Sequence, residues 1–382
     1  MRSKLLLLGV LAIGLASCGG DDEASVSKER KAAVAEHYAD IVYATYGASI
    51  ASAEKLQSAI DSFLDRPTQA SLRAAREAWL AARDDYIVTE PYRFYGGPID
   101  DPKNGPEGLI NAWPMDEVYI DYVRGEPRAG IVNDRAAYPK ITEDVIVEAN
   151  EKGGETNISS GWHAIEFLLW GQDQSKTGPG ARPASDYTSA PNAARRAEYL
   201  RLTTQRLLSD LRSVHEPWAP SGAYRTTFLA DPDKALTNIL RGVGTLNSHE
   251  LAGERMAVAL DSKEQEDEHS CFSDNTNADV VNDLKGIRMV YTGEAAGVSG
   301  GDSLDTLVRE VDPELATQLR AKLAATVAAA ERFPATFERM IAAPEGSPEH
   351  KALADEIAAI EQQGGDLAKA AKALDVKVNF EG

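Results

Sequence analysis

The chain has 382 residues, 60 Asp and Glu against 40 Lys and Arg, a formal net charge of −20 and two cysteines. So acidic a surface disfavours nucleic acid and anionic lipid as partners. Two thiols cannot make a disulfide scaffold, so the fold has to rest on an apolar core, and a chain of this length suggests two domains.

Met1-Arg2-Ser3-Lys4 is basic, and Leu5 to Leu15 is an apolar run too short to span a bilayer, the pattern of a signal peptide. Leu15-Ala16-Ser17-Cys18 resembles the lipobox of bacterial lipoproteins. This divides the start of the chain into a leader at 1–17 and a tether at 18–27 that begins with lipidated Cys18. Gly19 follows the cysteine in place of Asp, which points to the periplasmic side of the outer membrane. Loss of Arg2 and Lys4 takes the net charge from −20 to about −22. Cys271 is then the sole remaining thiol, and no other stretch is apolar and long enough to cross a membrane.

Apolar residues at Val34, Tyr38, Val42, Tyr46, Ile50, Ala53, Leu56, Ile60 and Phe63 follow steps of three and four. This predicts one long amphipathic helix, ended by Pro67. A second helix starts near Thr68 and buries Leu72, Ala75, Trp79 and Tyr86. Glu90 to Pro98 is a loop rich in breakers, and Trp113-Pro114-Met115-Asp116 leads into a short helix through Tyr122. Gly125 to Ser160 is mixed.

After a central helix, Gly171 to Pro191 loses helical period. It is the expected linker between domains at 28–180 and 190–380, with part of it able to pack over the site. Asn192 to about His215 is helical. Asp231-Pro232 reads as a cap followed by a first-turn proline, opening a helix to about Asp261. The loop Glu268 to Thr276, with Ser273 or Asp274 as a cap, precedes a helix carrying Val280, Leu284, Ile287 and Val290. Asp312-Pro313 and Ser347-Pro348 cap two alanine-rich helices. Strand signals are nearly absent, so the expected fold is all-α, two packed helical bundles. Glu-x-x-x-Phe recurs in a polar loop after a helix, at Glu90 to Phe94 and Glu268 to Phe272, which makes a duplication plausible.

The central helix, Gly161-Trp162-His163-Ala164-Ile165-Glu166-Phe167-Leu168-Leu169-Trp170-Gly171, is apolar nearly all round. A helix of this kind is buried, and His163 and Glu166, three apart, share one face. A buried carboxylate needs a partner: a metal, another cation, or the imidazole itself in a purely structural bond between helices. The stretch resembles the Gly-x-His-x-x-Glu signature of the imelysin family. Glu268-His269-Ser270-Cys271-Phe272-Ser273-Asp274-Asn275-Thr276 resembles a second segment of that family, in the branch of iron-regulated proteins. The Tyr95 to Pro98 region is also similar, with one extra glycine.

The resemblance covers about residues 30 to 380. It implies a pair of helical bundles and two different activities: a metallopeptidase with His-x-x-Glu as its metal site, or a periplasmic lipoprotein that binds iron or a metal chelate in iron uptake or homeostasis. It also implies iron-uptake proteins of the periplasm or outer membrane as partners. The expected metal ligands are His163 and Glu166, completed from Glu90, Asp116, Glu254 or His269 across a domain cleft. Imidazole and carboxylate donors suit iron, with zinc as the other choice. A site of His163, Glu166 and an arginine would instead take a carboxylate or a chelated metal. Binding is favoured over hydrolysis because the motif supplies two ligands and no separate base. Glu254 can alternatively pair with Arg255. His37 and His249 read as packing residues, His215 as a helix end, His350 as surface, and Cys271 as a small buried apolar residue.

Overall fold

The computed structural model describes residues 26–380. The leader, Cys18 and most of the tether lie outside the described residues. Ser27 receives the Arg30 amide and caps the first helix, α1, Lys28–Asp65. All the predicted stripe residues of α1 except Ile50 are fully buried. Thr68 and Ser71 form a capping box at the start of α2, Gln69–Ile87. The buried central helix, α3, is Gly161–Trp170.

In the second half, α4 is Ala193–His215. The helix α5 begins as Pro232–Thr245, capped by Asp231. It passes into a π-helical stretch, Leu246–Ala257, and ends as Val258–Ser262. Then come α6, Thr276–Thr292, α7, Leu304–Val311, α8, Pro313–Ala330, and α9, Pro348–Ala373. The prolines that open α5, α8 and α9 follow capping Asp or Ser side chains, as expected where a missing N–H costs nothing.

The fold is all-α. Among the described residues the nearest thing to a strand is a lone bridge between Val123 and Glu126, and no helix is long and apolar enough to cross a membrane. The segment before Tyr122 is a single 3-10 turn, Glu117–Tyr119. The mixed region holds two short helices, Gly130–Asn133 and Glu143–Ala149. Four α-helices had no expectation: α7, with its own Ser303/Thr306 capping box, and the short helices Glu107–Ile110, Ala223–Leu229 and Phe337–Ile341.

Helix α1 packs on α2, α4 and the first part of α5, while α6 packs on α2, α8 and the π-helical stretch. Buried apolar side chains from Val34 to Leu374 join in one cluster. The stretch 171–191 folds back: the Arg182 amide bonds the Trp170 carbonyl at 2.7 Å, and the Gly180 amide bonds that of Phe272 at 2.9 Å. Part of the expected linker therefore covers the end of α3.

Candidate functional site

Helix α3 is seated by backbone geometry that only glycine allows. Gly161 has φ +84°, and a Cβ there would stand 2.4 Å from the Ile110 carbonyl oxygen. The indole of Trp79 bonds the Trp162 carbonyl at 3.1 Å. These contacts turn His163 and Glu166 toward α2 and the loop 268–276.

His163 Nδ1 meets Glu166 Oε2 at 3.0 Å. Glu166 Oε1 accepts from both the backbone N and the Oγ of Ser273, at 2.9 and 2.7 Å. On the other side of the imidazole, Arg83 Nη2 stands 3.3 Å from His163 Nε2. The same Nη2 is 3.4 Å from His269 Nε2 and 3.3 Å from Asp279 Oδ2. Arg83 Nη1 donates to Asn111. Asp279 Oδ2 also accepts from Ser270 Oγ at 2.6 Å and lies 3.1 Å from His269 Nδ1. The two imidazole rings are 5.0 Å apart. Arg83, His163, Glu166, His269 and Asp279 are all buried, and the guanidinium lies between 5.7 and 6.0 Å from the rings of Tyr86, Trp79 and Trp162.

Burial, with the charges of Arg83 and His269 adding, holds His163 well below the usual imidazole range. Burial does the same to His269, helped by Arg255 and Arg83. Both imidazoles are neutral near pH 7. Burial pushes Glu166 up to about 8, against the pull of Ser273 and Arg83. The hydrogen-bond pattern favours its carboxylate. A proton on Oε2 would face Nδ1, force a hydrogen onto Nε2, and set that hydrogen against the Arg83 donor. The consistent chain runs Arg83 to His163 to Glu166, with Nδ1 carrying the imidazole proton.

A second buried network adjoins the first. Arg255 Nη2 bonds Glu90 Oε2 at 2.5 Å and Glu250 Oε1 at 3.0 Å, and its Nη1 bonds Asp283 Oδ2 at 2.8 Å. Arg93 adds a 2.6 Å bond to Glu90 and lies 2.9 Å from Glu107. Burial alone would raise Glu90, but Arg93 and Arg255 outweigh it and hold the carboxyl well below its ordinary range. Asp283, sharing Arg255 with Glu90, is pushed upward by burial. Arg93, Glu107, Trp113, Glu250, Arg255 and His269 border a cleft of about 280 Å³. A narrower opening of about 10 Å³, room for about one water, touches both imidazoles beside Trp113, Glu117 and Cys271.

The structure thus joins His163, Glu166 and His269, with Glu90 in the adjoining network. It does not bring in Asp116 or Glu254. Asp116 accepts the Val118 amide at 3.1 Å as the cap of a turn. Glu254 is exposed, and its neighbour Arg255 points inward in its place. Neither Ser273 nor Asp274 caps α6. That position belongs to Asn275, which makes no side-chain cap bond and donates instead to Asp279 Oδ1 at 3.1 Å, while Ser273 is committed to Glu166. His249 is exposed. His37 is packed, bonding the Gly293 carbonyl at 2.8 Å, and His215 stacks on Tyr43 at the end of α4. Cys271 is partly buried, and burial, with the nearby Glu166 and Glu268 adding, pushes its thiol well up, which disfavours the thiolate.

As arranged, these residues do not fit a resident metal ion. Among the described residues no three His, Cys, Asp or Glu side chains are disposed to hold one. The point on which His163, His269 and Asp279 converge carries the Arg83 guanidinium. Sequence reasoning missed Arg83, Asp279, Arg255 and Ser273. A usable signal existed for Arg83, since it lies four after Trp79 and three before Tyr86, on the apolar stripe of α2 where a charge has to find buried partners.

The imelysin family profile matches residues 42–364. Iron-regulated protein A of Synechococcus elongatus is 28% identical over 319 residues, covering 80% of this chain and 76% of that protein. Among solved structures, an iron-regulated protein A precursor from Parabacteroides distasonis superposes with a TM-score of 0.69 at 18% identity, covering 91% of this chain and 97% of that one. An imelysin-like protein from Psychrobacter arcticum gives 0.66 at 14% identity, covering 93% and 99%. With a match across most of its length and the same helical fold, the chain belongs to the imelysin family.

Proposed function

We propose that this chain is a lipid-anchored, periplasm-facing binding protein of iron handling, and that its cargo is iron held in a small oxygen-donor chelate, seated in the cleft beside His269. The observation that carries the reading is the Arg83 guanidinium, which stands 3.3 to 3.4 Å from His163, His269 and Asp279. It leaves the motif no open coordination position for a bare ion. The neighbouring cleft has Arg93, Arg255 and His269 together with four carboxylates, Glu107, Glu151, Glu155 and Glu250, on its walls. Groups of both signs suit a chelate whose carboxylates are anionic and whose metal is cationic. The iron-regulated names of the relatives support iron as the metal. A hydrolytic site needs three protein ligands, an open position and a base, and this arrangement offers no open position.

Equilibrium dialysis of the purified full chain with ferric citrate, and separately with ferrous ion under anaerobic conditions, tests the reading. The citrate complex should bind, and His269→Ala should weaken it by about tenfold or more, the scale on which sites lose a contacting group. Binding of ferrous ion alone, dependent on His163, would overturn the reading in favour of a metal centre. Cleavage of a peptide with added zinc, abolished by Glu166→Gln, would overturn it in favour of the enzyme.

The anchor has its own test. Cys18→Ala should move the folded protein from the membrane fraction to the soluble periplasmic fraction. Unchanged fractionation would place the attachment elsewhere in the chain.

A further inference from the structure

We infer that Arg83 is the built-in cation of the His-x-x-Glu motif: its guanidinium takes the place a metal ion would take, and His163, Glu166, His269 and Asp279 are arranged to hold that side chain. Arg83 Nη2 is 3.3 Å from His163 Nε2 and from Asp279 Oδ2, and it lies beside the His269 ring, 3.4 Å from Nε2 and 3.5 Å from Nδ1. These are hydrogen-bond separations. A zinc or iron ion at the same point would sit about 2.1 Å from its donors, so His163 and Asp279 would have to move inward by about 1.2 Å and His269 would also have to turn one nitrogen toward the ion.

The surroundings suit a guanidinium and do not suit an ion. Nη1 is taken by Asn111, and the rings of Trp79, Tyr86 and Trp162 lie around the planar group at cation–π distances. A bare ion would lose both the amide bond and the ring contacts. Glu166 completes the set from behind. Its hydrogen bonds from Ser273 fix the carboxylate, the carboxylate holds the Nδ1 proton of His163, and Nε2 is left as an acceptor for Arg83. The same relay in a metal site would orient a ligand; here it orients an acceptor for an arginine. Arg83 is thus a positioning residue, and the motif is its receptor.

The converse is a latent metal site. With the guanidinium gone, His163 Nε2 and Asp279 Oδ2 face the vacated point and the His269 ring lies beside it, so two imidazoles and one carboxylate, the donor set of many zinc and iron centres, need only close in and turn one ring to ligate. Co²⁺ serves as the probe, because its visible absorption reports nitrogen and oxygen ligation and the ion brings no chelate of its own. The outcome therefore does not depend on the ligand proposed for the cleft. The wild-type full chain should take up no stoichiometric Co²⁺ after dialysis. Arg83→Ala should take up about one equivalent, at least about tenfold tighter than the wild type, with a d–d spectrum that is lost when His163→Ala or His269→Ala is added. Arg83→Gln, shorter and neutral, serves if the alanine variant does not fold.

Three results would overturn the inference. One is stoichiometric Co²⁺ on the wild type that disappears in His163→Ala. The second is a folded Arg83 variant with no gain in binding. The third is a gain that survives loss of both histidines.

Discussion

Arg255→Met is expected to destabilise the protein by about 3–5 kcal/mol, the cost of removing one partner from a buried ion network. Arg255 is buried and bonds Glu90, Glu250 and Asp283 together. Methionine keeps the length of the side chain and much of its packing, so the loss is mainly electrostatic. Glu90, fully buried, would be left with Arg93 and a 3.4 Å contact from Asn111. Asp283 would lose its ion-pair partner. Urea unfolding at pH 7 measures the effect, and a loss below about 1 kcal/mol would mean that the network is far more hydrated than its burial indicates. Adding Glu90→Gln to Arg255→Met should recover part of the loss, because the orphaned charge is removed with its partner.

Stability should be higher at pH 6 than at pH 9, by about 3 kcal/mol or more, the equivalent of a little over two pKa units on a single group. Burial pushes Glu268 up to about 9, and the charge of nearby Asp274 adds to it. Its Oε1 has no hydrogen-bond partner. Burial likewise pushes Asp274 and Glu117 up to about 7. In the unfolded chain these groups titrate near 4. Between about pH 4.5 and 9 the folded state therefore holds protons that the unfolded state releases, and stability falls as pH rises through that window. The imidazoles of His163 and His269 act in the opposite sense. Their folded values lie below the unfolded value of about 6.5, so their contribution is complete above it and is lost as pH falls. Thermal melting from pH 5 to 9 checks the balance. Glu268→Gln should flatten the alkaline fall, and a slope identical to wild type would assign the effect to other groups.

Much of the fold was legible because its boundaries are chemical. Asp231, Asp312 and Ser347 act as caps in the structure, each visible as a capping residue before Pro, and Thr68, legible as a helix start, also proves to be a cap. The burial of α3 followed from its composition alone. The site was legible only in part. Glu166 and His163 announced themselves because polar groups on so apolar a helix are conspicuous. Arg83, Asp279 and Arg255 sit on helices with many charged residues, where one more arginine or aspartate reads as surface. Ser273 looked like a cap, and nothing local revealed that its hydroxyl and amide both turn to Glu166, 107 positions earlier. Glu254 stays outside the site for a different reason. On a regular α-helix Glu250 and Glu254, four apart, share a face, whereas in this π-helical part of α5 Glu250 meets Arg255 and Glu254 is exposed.

That π-helical stretch, Leu246–Ala257, has a consequence for how the protein tolerates change in length. A π-turn closes its hydrogen bonds one residue later than an α-turn, while each α-helical residue advances the chain by about 100°. Relaxation to α-helix after the loss of one residue would offset most of the rotation, but with the π bonding kept, removing a single residue between Leu246 and Arg255 would turn all that follows by about a quarter of a turn. Arg255 would swing off the line to Glu90 and Asp283, although no side chain in the network had been altered. The orientation of this arginine is thus encoded in the number of residues that precede it as well as in their identity. In this helix, a one-residue deletion is a change of the site.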